Sequence, residues 1–486
     1  MSDPRVRALP VPGEALFDRT PVLAQAGPAE PLVYDAAPLA LRQRTVNFAA
    51  KRLTDMVYVS EFSPAEAQSR LRWRAAAAPG GLQARPAATA LQAVLDAAVA
   101  AGQLAIQHDA AARSVTVTWT DPGFGPAVRG RAVAPAGYGG IVLGSAAQLG
   151  FDPVPVPRAP AVAYWTDTAA DQAPSVLRHA ADTFLSAAPG AYGMLVAAPG
   201  RVLFERYAHG GAPDRVTPSW SMTKSITATV IGRMIHLGWL RSVQDPAPAP
   251  LWTDPRGAHA GITIEHLLRM RAGLGMPVLH GDGSSTLGFE NSAVYQDATD
   301  AFTAAQRNIV ATLPGSVFRY VNAGPNVLGA IIRQEIERRG LAYPATLYAL
   351  LVDKIGMASF QHSADIAGNM IASGAGFATL RDYAKLGLLY VQDGVWNGER
   401  LLPEGWADYA LAPSHAGTNY AASFWTNAQS LFPDLPPDIA WASGASDQRT
   451  MIFRRHGLVA VITNETDHPM DLGRLNTFLA TALAVF

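Results

Sequence analysis

The chain has 486 residues, 49% of them hydrophobic and 16% charged, with a formal net charge of −1 and no Cys. That balance supplies no basic field for nucleic acid or an anionic membrane, and it excludes disulfides, thiolate nucleophiles and Cys-based zinc or iron–sulfur sites. The length suggests two or three domains with ample apolar material for a packed interior. Residues 1–20 mix charges with Pro and Gly and lack an uninterrupted apolar core, so the expected location is cytoplasmic. Apolar runs such as 93–106 are interrupted by Asp96, Gly102 and Gln103 and are too short to span a bilayer, which points to a soluble protein.

Residues 1–45, rich in Pro and Ala without periodicity, read as an extended arm lying on the rest. Residues 46–152 read as a small α+β domain. Within it a strand is expected over 56–62, an amphipathic helix over 89–101, and strands over 104–108 and 114–119 on either side of a turn at 109–113. The alternation Val115, Val117, Trp119 marks the last of these as half-buried. Pro153, Pro155, Pro157 and Pro160 suit neither a helix interior nor a central strand, so 153–168 reads as a linker.

The remainder, 169–486, opens with a helix over 175–188 and a hairpin of 193–198 with 202–207 turning at Pro199-Gly200. A helix follows from the Ser221 region to about Gly238, with Thr217 or Ser219 as its cap. Further helices are expected over 264–270, 323–339 and 380–392. Strands over 451–453 and 458–463 then flank a turn at 455–457, and a helix over 472–485 comes last. Strands at both ends with helices between them imply one sheet assembled from distant sequence, an α+β architecture.

Within that frame Ser221-Met222-Thr223-Lys224 carries the chemistry. A Ser hydroxyl is a poor nucleophile until a base takes its proton, and an i, i+3 spacing on a helix sets both side chains on one face. Only four Lys occur among 38 basic residues, and no second S-x-x-K exists. Lys224 can serve as the base near neutral pH if burial or a neighbouring cation weakens its hold on the proton. No G-x-S-x-G elbow, H-E-x-x-H or Walker A pattern is present. The 11 His form no ligand-like pair, so no metal or cofactor is expected. The loop His280-Gly281-Asp282-Gly283-Ser284-Ser285 reads as solvated rather than as a metal site.

Three motifs in order resemble the serine β-lactamase and penicillin-binding protein superfamily: Trp220 to Ser225, the segment 264–274, and Pro314-Gly315-Ser316-Val317-Phe318-Arg319-Tyr320-Val321-Asn322 with its Y-x-N. The resemblance extends from about Ala170 to the C-terminus. It is nearest to the branch of 6-aminohexanoate-dimer hydrolase and class C-like esterases, which residues 374–402 also resemble. It implies a β-lactamase/transpeptidase-like antiparallel sheet flanked by helices with a helical insert, plus the small N-terminal α+β domain. Residues 1–160 loosely resemble the extension of some secreted members, in segments 49–53 and 57–60, without the Cys common there.

By the same resemblance Tyr320 would be a second proton carrier and Asn322 would orient Lys224 or hold a substrate amide. The third motif has its counterpart at Ala442-Ser443-Gly444-Ala445, where Ser443, Gly444 and Ala445 would edge the pocket. The amides of Ala445 and Ser221 would then form an oxyanion hole. Ala442 stands where the superfamily carries a cation, which argues against a β-lactamase or peptidoglycan peptidase. Arg449 is a candidate anion anchor, but an exposed strand Arg is the better reading. Asp447-Gln448 occupies a place where the branch commonly has Gly-Gln. Tyr295 and Glu290 are candidate substrate contacts. The expected activity is hydrolysis of a small amide or ester through acyl-Ser221. A transacylase passing the acyl group to an amine or alcohol, and a non-catalytic binding protein on the same fold, are the alternatives. The expected partner is that small molecule, with neither nucleic acid nor membrane; the sequence sets no oligomeric state.

Overall fold

Val46, Ala49, Ala50, Leu53 and Met56 recur at helical spacing, and they form the buried face of helix α1, Pro38–Tyr58. The computed structural model describes residues 3–6, 32–35, 37–71 and 97–486, apart from 124, 145, 147, 159–163, 169–172, 289–291, 298, 416–417 and 466–469. The strand expected over 56–62 is therefore the last turn of α1 and the bend after it. Met56, Val57 and Tyr58 favour strands by composition, but their phase continues the apolar stripe that begins at Val46, and burial of that stripe decides. The same helix crosses the boundary expected at residue 45. Of the helix expected over 89–101, residues 97–100 are helical and 89–96 lie outside the described residues.

The face of α1 lies on an antiparallel sheet of β1 (Leu104–Asp109), β2 (Ser114–Trp119), β3 (Val128–Val133) and β4 (Ile141–Val142), in that order. Val115, Val117, Trp119, Val128 and Ala132 complete this cluster. Tyr138 and Ile141 belong instead to the large core around Met222, Ile226 and Val230, so the N-terminal part shares its interior with the rest. The Pro-spaced stretch is pinned as well: the Arg158 guanidinium donates to Asp353 Oδ1 at 2.7 Å and to the carbonyls of Phe360 and Met357 at 2.6 and 2.9 Å.

The main sheet gathers β5 (Asp167–Thr168), β6 (Ala191–Ala198), β7 (Arg201–Tyr207), β8 (Trp425–Thr426), β9 (Ala440–Gly444), β10 (Gln448–Phe453) and β11 (Leu458–Asn464). Their order is β8-β9-β10-β11-β6-β7-β5, antiparallel except for the parallel edge pair β7–β5. Both faces are covered, and the strands alternate between two cores. Met194, Val196, Ala460 and Ile462 face helices α2 (Ser175–Ala187) and α6 (Leu472–Val485). Leu195, Ala197, Val459 and Val461 face the core that holds α3 (Met222–His236), α4 (Ala323–Glu337) and α5 (Leu380–Val391). The α+β class and the β-lactamase/transpeptidase-like sheet expected from sequence are what this architecture shows. Among the described residues no helix is long and apolar enough to cross a membrane.

Candidate active site

Two helix starts meet at the site. Ser221 occupies the N-cap position of α3 and Asn322 that of α4, and neither side chain caps its own helix. Of the two expected caps, Thr217 lies in a short strand, and Ser219 pairs its hydroxyl with Thr223 Oγ1 at 2.6 Å and accepts the Gly376 amide at 3.0 Å. The Ser221 hydroxyl is engaged elsewhere. Lys224, 1% exposed, sets its Nζ 2.8 Å from Ser221 Oγ, 2.7 Å from Asn322 Oδ1 and 2.6 Å from the Ser373 carbonyl oxygen. The Tyr320 ring centroid lies 5.1 Å from the same Nζ, and that ring packs against Tyr420 at 5.7 Å and Trp425 at 5.6 Å. Burial holds the Tyr420 phenol well above its ordinary pKa, so Tyr420 stays neutral. Ser221, Lys224, Tyr320 and Asn322 are thus brought together.

The third motif closes on the nucleophile from the sheet. A Cβ on Gly444, at the end of β9, would fall 2.2 Å from the Ser219 carbonyl oxygen and 3.0 Å from Trp220 Cβ, so only glycine permits this approach. Ser443 and Ala445 flank it, both partly exposed. Beyond them Ser446 and Asp447 take φ of 61° each. That left-handed region suits the Gly that the branch commonly has at 447, and Asp is among the few other residues that tolerate it. Asp447 anchors the turn by accepting the Met470 amide at 3.0 Å and pairing with Arg449 at 3.0 Å.

Arg449 is neither an anion anchor nor an exposed strand residue. It is 6% exposed, held by Asp447 and lying over Phe432 and Trp441, because the inward phase of β10 carries it into the α2–α6 side of the sheet. Tyr295, 8% exposed, bonds Ser373 Oγ through its hydroxyl at 2.8 Å, and its ring meets Trp220 edge-on. Glu290 lies outside the described residues. Residues 280–285 form an exposed turn in which Asp282 accepts from Ser284, and among the described residues no cluster of His, Asp and Glu could hold a metal.

The sequence reading missed a supporting layer. Asn326 donates to Ser373 Oγ at 3.1 Å and accepts the Ser373 amide at 3.2 Å, fixing the carbonyl that Lys224 uses. The signal was available, since Asn322 and Asn326 share a face of α4 at i, i+4. Ser373 itself carries no such pattern. Trp220, directly before Ser221, has φ 45°, a strained conformation worth on the order of 1 kcal/mol or more for a bulky residue.

A family model described as Beta-lactamase matches residues 177–484, well over half of the chain. The chain belongs to the β-lactamase family. The match takes in β6 to β11 of the main sheet and the helices that carry Ser221, Lys224 and Asn322. Over 227 residues this family member is 28% identical to the 6-aminohexanoate-dimer hydrolase of Paenarthrobacter ureafaciens, a match covering 45% of this chain and 56% of that protein. The chain thus spans about half the length of that curated relative. Among solved structures, a Bacillus anthracis protein provisionally assigned as a 6-aminohexanoate-dimer hydrolase superposes with a TM-score of 0.51 at 18% identity, covering 68% of this chain and 87% of its own. A provisionally assigned β-lactamase from Bacteroides dorei gives 0.50 at 17% identity, covering 63% and 97%. At those identities the likeness is one of fold.

Proposed function

We propose that this β-lactamase-family chain is an amidase or esterase that hydrolyses a small substrate through an acyl-Ser221 intermediate. The observation that carries the reading is the contact set of Lys224. With Lys224 as the free amine, Asn322 Oδ1 and the Ser373 carbonyl, which only accept, take its two N–H groups, and its lone pair receives the proton of the Ser221 hydroxyl 2.8 Å away. Ser221 Oγ then bonds to the carbonyl carbon, with the Ser221 and Ala445 amides holding the oxyanion. The proton on Lys224 passes by way of Tyr320 to the departing nitrogen or oxygen as its bond to carbon breaks. Water next loses a proton to Lys224 and attacks the acyl carbon; the bond from that carbon to Ser221 Oγ breaks, Lys224 hands the proton to Ser221 Oγ, and the acid leaves.

An unstrained amide or ester is favoured over a lactam carrying a carboxylate, because Ala442 offers no cation and Arg449 is buried against Asp447. The name of the Paenarthrobacter relative tips the balance toward an amide. A fluorophosphonate probe with peptide mapping tests the proposal. Labelling is expected at Ser221, absent in Ser221→Ala and slowed about a thousandfold in Lys224→Ala; folded wild-type protein that takes no label would overturn the reading.

A further inference from the structure

The strained residue before the nucleophile is held from outside the matched family region. Trp220 takes φ 45° and is directly followed by Ser221. On one side it meets Gly444, whose close approach brings the end of β9 against Ser219 and Trp220. On its other side are two residues of α1. The Phe48 ring lies 6.1 Å from the Trp220 ring at a 31° tilt, and the Arg52 guanidinium carbon stands 4.9 Å over the indole. Both are nearly solvent-free, at 6% each. Arg52 is itself fixed by an ion pair with Glu465, just past β11, and lies 3.8 Å from Asp55. The helix carrying them is docked to the catalytic region at three further points. Asn47 donates to the Gln296 carbonyl at 2.7 Å, Arg44 pairs with Asp297 at 3.0 Å, and Lys51 reaches Ser363 Oγ at 3.0 Å.

We infer that Phe48 and Arg52 are positioning residues: α1 clamps Trp220 in its left-handed conformation and thereby aims Ser221 at Lys224 and at the substrate carbonyl. The inference deepens the proposed acyl-Ser221 chemistry and rests on it. A bulky residue relaxes out of this conformation unless its surroundings over-determine it. Here the surroundings are the end of β9, the Tyr295 ring, and Phe48 and Arg52 of α1. Relaxation at residue 220 would swing the first atoms of residue 221, and displacements of an ångström at a reacting group cost large factors in rate.

The test is the second-order rate of Ser221 labelling by a fluorophosphonate, with kcat and KM on a p-nitrophenyl ester and the thermal midpoint measured beside it. In Phe48→Ala the labelling rate and kcat are expected to fall about tenfold or more with KM changed less than about twofold, and Phe48→Leu to recover most of the loss. Trp220→Gly removes both the ring and the conformational penalty, so adding Phe48→Ala to it is expected to cost little further. If Phe48→Ala does not fold, the comparison of Phe48→Leu with and without Trp220→Gly gives the same reading on a smaller scale. Folded Phe48→Ala that labels at the wild-type rate, a loss carried wholly by KM, or an equal loss in the Trp220→Gly background would each overturn the clamp. Wild-type protein that takes no label at Ser221 would instead overturn the acyl-enzyme reading beneath it.

Discussion

Asn322 and the Ser373 carbonyl settle how Lys224 meets Ser221, because each takes a hydrogen that would otherwise compete for the serine oxygen. Replacing Asn322 by Leu is expected to lower kcat by about ten- to a hundredfold with a smaller change in KM, read by steady-state ester hydrolysis. Gly444→Ala is the sharper case. Its Cβ has no room against the Ser219 carbonyl, so the strand end must retreat from the nucleophile. Turnover should drop by about two orders of magnitude, with a measurable loss in melting temperature. Ser221, Lys224, Tyr320 and Asn322 were legible in sequence because each sits in a short motif with fixed spacing. Arg449 was not, since both faces of the sheet are covered and β10 is buried along its whole length, which one strand's own alternation does not reveal. Ser373 contributes a carbonyl, which every residue has, so no sequence pattern could mark it.

Elements were readable where one period dominated. The hairpin of β6 and β7 and helices α2 and α6 stand where periodicity and turn residues put them. Helix α1 was misread at its end because local composition there favours a strand, while the docking that overrules it comes from residues hundreds of positions away, such as Gln296 and Glu465. That docking carries its own prediction. A chain lacking residues 1–158 loses the partners of Ser363, Asp297 and Glu465 and exposes the core surface now covered by Tyr138 and Ile141. It is expected to be largely insoluble, and any soluble fraction to turn over substrate at least about tenfold slower, checked by soluble yield and activity side by side.

Across the whole molecule, acid should weaken the fold through His362. It is fully enclosed, its Nε2 sits 2.9 Å from the Ile371 carbonyl, and burial lowers its pKa to about 4. A His with a depressed native pKa binds its proton more readily when unfolded, so its contribution is complete above about 6.5 and is lost as pH falls toward 4. The span corresponds to roughly 3 kcal/mol at the acidic end. Urea midpoints should therefore decline between pH 7 and pH 4.5, and His362→Gln should flatten that decline. His362 bonds the carbonyls of Ile371 and Gly374, which bracket the Ser373 carbonyl that Lys224 contacts, so the acid-weakened region borders the candidate site.

The strand order also governs what a ribosome releases first. The β6–β7 hairpin leaves the exit tunnel long before β11, the strand that must lie along its open side. For most of translation that hairpin presents bare amide and carbonyl groups flanked by two greasy faces, a template on which other nascent chains can stack. A messenger truncated between codons 207 and 458 would thus yield a sticky chaperone client in place of a slow enzyme.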